Sequence, residues 1–149
     1  MKTTVRTTKH VDAAGALEGA TRRYMLDGAQ RGVNVAREEA PTGATGFLAN
    51  QAMVDPYVEN DGSVVFGNNA PYAEPVEDGS VPHWIPLRAM DGLRRWAGRI
   101  LGDRGAAWGV RQKIAEEGTD AQPFMSKGAD AAREWFAAHG LDAYVEERI

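Results

Sequence analysis

Residues 9 to 40 run without a proline and are rich in Ala, Arg and Glu, and the segment "EEAPTGATG" then places Pro41 directly behind them. With Thr8 or Asp12 available as an N-cap and Ala40-Pro41 as a stop, this stretch predicts one long helix. At 1.5 Å per residue it would reach about 45 Å, long for a domain of this size. Its larger side chains, Val11, Leu17, Tyr24, Leu26, Val33 and Val35, do not make one clean stripe. Gly15, Gly19, Gly28 and Gly32 each weaken the helix interior by ~1 kcal/mol relative to Ala. A helix like that needs neighbours, and its glycines admit another backbone at close range, either from its own sheet or from another subunit.

"PTGATG" (41–46) reads as a turn cluster with Gly43 and Gly46 at its bends. Two apolar-rich runs follow, joined through Asn60-Asp61-Gly62, a strong hairpin signal. Strands are expected over 47–58 and 63–68, with Pro56 marking an edge or an irregularity. Pro71 and Pro75 forbid a regular central strand in 70–80, which reads as a short helix or turn. From Pro86 the period becomes helical. Leu87, Met90, Leu93, Trp96, Ala97, Ile100 and Leu101 fall on one face, and Arg88, Asp91, Arg95 and Arg99 on the other. "GDRG" (102–105) breaks that helix, and a second short one follows with Trp108, Val110 and Ile114 as its apolar residues. Pro123 suits a first helical turn, after which Met125, Ala129, Ala132 and Phe136 recur at helical spacing with Trp135 beside them. His139-Gly140 supplies the stop, and "LDAYVEERI" is read as a terminal strand or arm.

These elements predict an α+β fold: a long N-terminal helix, a small antiparallel β-sheet, a two-helix insert and a C-terminal helix packed on the sheet. A chain of 149 residues fits one domain, 1–149, with the insert spanning 81–115. The absence of cysteine excludes disulfides, thiolate zinc sites and thiol nucleophiles. No apolar run approaches the roughly 18 residues that a membrane span needs, and the basic N-terminus is followed by no apolar block, so folding in a cytoplasm is expected and no membrane partner. Charge is unevenly shared. Residues 83–113 hold seven basic and two acidic residues, a net +5, which leaves −9 for the remainder of a chain whose total is −4. Such a split suits a surface that meets something negative, or like subunits that meet basic to acidic.

The sequence shows no motif spacing for metal binding or nucleophilic chemistry. His10, His83 and His139 stand far apart and in no metal-binding spacing, and Ser63, Ser80 and Ser126 lack a nucleophile elbow. "TGATGF" has no lysine and follows a helix, so it reads as a turn rather than a phosphate loop. The pairs Glu77-Asp78 and Glu116-Glu117 read as solvated turn acids. Arg88, Arg95 and Arg99 are the candidates for an interface or for DNA phosphates, set against the plainer reading of a solvated helix face. Trp96, Trp108, Trp135 and Phe136 are the candidate core or interface anchors.

The segment "VEDGSVPHWIP" (76–86) is echoed by "AEEGTDAQPFM" (115–125), each with acids, Gly, a hydroxyl residue and then Pro near an aromatic. Together with "EEAPTGATGFL" (38–48) and "APYAEPVEDGS" (70–80), this order of signals resembles the neck and tail-completion proteins of long-tailed phages. The likeness is to the gene-product-ten family of the HK-type lambdoid phages, similar in role to the lambda Z protein, over about residues 37–136. In compact members one Glu-x-Gly-Thr corner leads straight to Pro-Phe. Here "VPHWIPLRAMDGLRRWAGRIL" is similar to the insert of longer members, so the corners at Gly79 and Gly118 become its two feet.

The resemblance implies a structural virion protein, made in the host cytoplasm, that joins the head connector to the tail tube around the DNA channel. It implies a homo-oligomeric ring, six copies by family, which meets adjoining head-closure and tail-tube or tail-terminator proteins and the DNA in the channel. No enzyme activity and no cofactor are implied. Two other readings of the residues stay open: a non-specific nucleic-acid-binding module using the basic insert, and a small hydrolase using carboxylates of the 74–78 and 116–120 corners.

Overall fold

The computed structural model describes residues 1–5, 15–43 and 46–148. The candidate caps Thr8 and Asp12, and His10, lie outside them. Helix α1 spans Gly15–Glu39, 25 residues. It ends where Ala40 N–H donates to Ala36 O at 2.9 Å and Pro41 withdraws the next donor. Its buried stripe is made of paired positions one turn apart: Tyr24 and Met25, Gly28 and Ala29, Gly32 and Val33, then Ala36 and Ala40. Small side chains dominate that stripe, so a neighbour can come close.

That neighbour is a helix. Strands β1 (Lys2–Val5), β2 (Met53–Val58) and β3 (Val64–Asn68) form an antiparallel sheet in the order β1-β3-β2. Central β3 is buried at all five positions, which accounts for its unbroken Val-Val-Phe run. The terminal strand β1 had no clear sequence signal. β2 starts six residues later than expected, because 47–50 turn back on themselves through Asn50 N–H to Gly46 O and Ala52 N–H to Phe47 O. Pro56 sits on edge strand β2 within the register shift between Val54 and Tyr57, so it is both edge and irregularity. The hairpin closes at Gly62, φ +84°, with Asp61 Oδ1 accepting from Ser63 N–H at 2.9 Å.

Beyond the sheet, α2 (Ala73–Asp78) places Pro75 in its first turn, where no intrahelical donor is required. A 3-10 turn at Leu87–Ala89 leads into α3 (Met90–Ile100), and α4 (Ala106–Glu117) returns alongside it. α5 (Phe124–Ala138) then lies along α1. A Cβ on Gly128 would sit 2.6 Å from Gly32 O, and one on Gly32 would be 2.7 Å from Gly128 O. Gly28 is covered by Phe136 and Trp135. The expectation that α5 packs on the sheet is therefore refined: its main partner is α1, and the glycines of α1 admit a helix of the same chain. The expected C-terminal strand or arm is instead a helix, α6 (Leu141–Glu146), because Leu141, Tyr144 and Val145 share a face and are buried. Among the described residues no helix is long and apolar enough to cross a membrane.

Candidate interface arm

The two echoed corners meet. Ser80 and Thr119 form an antiparallel bridge in which each N–H donates to the other's carbonyl at 3.0 Å, and their hydroxyls lie 2.7 Å apart. Gly79 (φ +77°) and Gly118 (φ +74°) make the reversals on either side. A Cβ on Gly79 would lie 2.7 Å from Thr119 O, and one on Gly118 would strike Ser80 O, so both corners need glycine for space as well as for φ. Gly43 (φ +60°) and Gly46 (φ +67°) adopt left-handed backbone, and neither touches the bridge.

Below the bridge, Glu77 ties α2 to α5. Its side chain is 3% exposed, and its carboxylate accepts from Met125 N–H at 2.8 Å and Ser126 N–H at 2.9 Å, with the Ser126 hydroxyl as a third donor. This corrects the reading of Glu77-Asp78 as a solvated pair. Gln122-Pro123, ahead of Phe124, offers no good local cap, so a carboxylate from another element satisfies the free amides and complements the helix dipole. Gln122 N–H to Val76 O, 2.8 Å, adds a second tie. Absence of a local cap before a strong helical pattern was the available signal.

Above the bridge, residues 81–117 form an arm with a small core of its own. Met90, Ala97 and Ala107 are buried, with Leu93, Trp96 and Ala106 packed against them. Arg111 fastens the segment that enters the arm to α4: its Nε donates to Ile85 O at 2.8 Å and its guanidinium lies 4.8 Å from the Trp84 ring centroid. Arg94 is placed similarly over Trp108, at 5.2 Å. His83 is exposed with Nδ1 2.9 Å from Val81 O, a local contact.

Much of the apolar face expected to pack is open to solvent. Leu87 is 67%, Leu101 51%, Ile100 49% and Trp108 46% exposed. The pair α3–α4 is too short to cover all seven of those apolar residues; Trp108 lies outside the small cluster with Arg94 against its ring, while Trp96 is half-buried in the cluster. Arg88, Arg95 and Arg99 are all exposed, but only Arg95 and Arg99 share an α-helical face, since Arg88 belongs to the preceding 3-10 turn.

The other two anchors lie at the far end of α5. Trp135 and Phe136 are half-buried against the main core, with Tyr24 ring centroids 5.3 Å from each. Tyr24 donates to His139 O at 2.7 Å, and the His139 ring stacks on Trp135 at 4.2 Å. Tyr144 donates to the Asp27 carboxylate. Its phenol is pushed up to about 12, first by burial and then by that hydrogen bond and the charge of Asp27. Of the carboxylates of the two corners, Glu77 caps α5, and Glu74, Asp78, Glu116, Glu117 and Asp120 are exposed. Among the described residues no group of three or more His, Asp or Glu is placed to hold a metal ion.

Residues 7–79, which comprise α1, β2, β3 and α2, match the family model described as "Bacteriophage HK97-gp10, putative tail-component". No curated protein and no solved structure matches the chain.

Proposed function

Taking as premise that the chain belongs, through residues 7–79, to the HK97-gp10-like family of phage tail components, we propose that it is a neck or tail-completion subunit. Its copies, six by the family resemblance, form a ring that joins the head connector to the tail tube around the DNA channel. The family match carries this reading. A structural tail component works through contacts with other virion proteins, and the apolar side chains exposed on the arm of this chain suit such contacts. In this reading residues 1–149 form one domain, and 81–115 are an insert between α2 and α5. The bridge at Ser80 and Thr119 holds the feet of that insert together, so its two helices project without disturbing the α1–α5 packing.

Arg88, Arg95 and Arg99 then meet an acidic surface of an adjoining head-closure or tail-tube protein, or the phosphates of DNA in the channel. Reversal of all three to Glu should leave the fold intact, because exposed charges contribute only ~0–1 kcal/mol each. It should lower the yield of joined particles. Normal joining at low and high salt would remove these residues from the interface. The reading itself is tested by deleting the chain from the virus that encodes it: separate DNA-filled heads and complete tails are expected, and normal particles would refute it.

A further inference from the structure

Ten large apolar side chains are exposed among the described residues, and six of them, Val81, Trp84, Leu87, Ile100, Leu101 and Trp108, lie in the arm. Such concentration in a short segment is unlike the scattered exposure of an ordinary monomer surface and marks a contact surface. A second, smaller apolar pad lies on the body of the molecule. Phe47 (40% exposed) and Tyr72 (44% exposed) touch with ring centroids 6.5 Å apart, and Pro71 and Pro75 are exposed beside them.

The arm and the helix beside the pad carry opposite charge. Arg88, Arg95 and Arg104 are exposed on the arm, whereas Glu74 and Asp78 are exposed on the helix that follows Tyr72. The arm, residues 81–117, is net +3 and the rest of the chain is −7, so two arms repel each other and an arm attracts a body. DNA alone would match the arginines but would leave Leu87, Ile100 and Leu101 in water. The arm's own body is not its partner, since both surfaces stand open within one chain.

We propose that the arm of one copy docks head to tail on the Phe47–Tyr72 pad of the next copy. The contact is heterologous: each copy offers a different surface at each end, and repetition closes a ring when the rotation permits. The proposal rests on the ring reading above and names the surfaces that make the ring. The cross-contact is apolar at its centre and charged at its rim, the usual anatomy of a specific interface.

Two variants of the full-length chain test it. The arm variant carries Leu87→Asp and Leu101→Asp; the pad variant carries Phe47→Asp and Tyr72→Asp. All four positions are exposed, so circular dichroism and thermal midpoints should match the parent; if the pad variant misfolds, Glu74→Arg with Asp78→Arg replaces it. Sedimentation velocity up to ~1 mM chain should show concentration-dependent oligomers for the parent, with self-association at least tenfold weaker in each variant. Mixing the two restores one good interface, intact arm on intact pad, and should give a 1:1 dimer that grows no further. A mixture that stays monomeric, or variants that associate like the parent, would overturn the proposal. Variants that still join heads to tails as rings would leave the ring reading standing without it. A parent that stays monomeric throughout also overturns it, and the ring reading falls as well only if deletion of the chain leaves particles normal.

Discussion

Replacing Glu77 by Ala removes a carboxylate that is 3% exposed and holds the first turn of α5. Three effects add. The Met125 amide loses its buried acceptor, which costs ~1–3 kcal/mol for a donor left without a partner. The Ser126 amide and hydroxyl lose theirs, at the ~1 kcal/mol typical of a lost N-cap, since water reaches Ser126. The favourable placement of a negative charge at a helix N-terminus disappears, worth ~0.3–1 kcal/mol. Against these stands the recovered desolvation cost of a buried charge, so a net loss of about 3 kcal/mol is expected. For a chain of 149 residues this corresponds to a thermal midpoint lowered by ~6–12 °C. Urea unfolding followed by tryptophan fluorescence and by circular dichroism should show a lower midpoint at unchanged slope. Glu77→Gln, which keeps one acceptor oxygen, should lose about half as much, and Asp78→Ala, one residue on and exposed, should stay within ~0.5 kcal/mol of the parent. If Glu77→Ala cost less than ~1 kcal/mol, or if Asp78→Ala cost as much, the cap would not hold α5 as described.

Glycine positions on α1 and α5 separate packing from propensity. Gly128→Ala should cost ~1–3 kcal/mol because its Cβ would sit 2.6 Å from Gly32 O, whereas Gly19→Ala, with nothing within 4 Å, should gain up to ~1 kcal/mol in thermal unfolding. Among the tryptophans, Trp135→Ala should cost ~3 kcal/mol, while Trp108→Ala, 46% exposed, should cost under ~1 kcal/mol in the isolated chain. The raised Tyr144 phenol means the folded chain holds that proton more tightly than the unfolded chain does. Its contribution is complete below pH 10 and is lost as pH rises from 10 to about 12. Tyr144→Phe should lack that alkaline step in a pH-denaturation series, at a cost of ~1 kcal/mol at neutral pH from the lost hydrogen bond to Asp27.

Where the sequence was legible, local chemistry decided the outcome. The proline-free run gave α1, Asp61-Gly62 gave the hairpin turn, and the 3.6-residue period gave α3 and α5. Local patterns could not reveal that small residues form the buried stripe of α1. Gly28 and Gly32 look like helix weaknesses until α5 is placed opposite them, with Gly128 against Gly32, 96 residues away. β1 was missed for a related reason: Lys2–Val5 is too short to show a period and becomes a strand only because β3 offers an edge. Glu77 was misread because adjacent acids beside a glycine are usually solvated, and its partners lie on a helix 48 and 49 residues further along the chain. In the arm, the period brought Met90, Leu93, Trp96 and Ala97 together in the small cluster, but periodicity tells which residues share a face and not whether anything covers it.

The central claim is that this chain is a ring-forming neck subunit, and a cryo-electron microscopy reconstruction of the head–tail junction of the virus encoding it tests that claim directly. A closed ring of this chain is expected between connector and tail tube, with α1 and α5 as the body of each subunit and the α3–α4 arm of each copy resting on the Phe47–Tyr72 pad of its neighbour. A junction that contains no density for the chain, or a chain found only elsewhere in the particle, would contradict it.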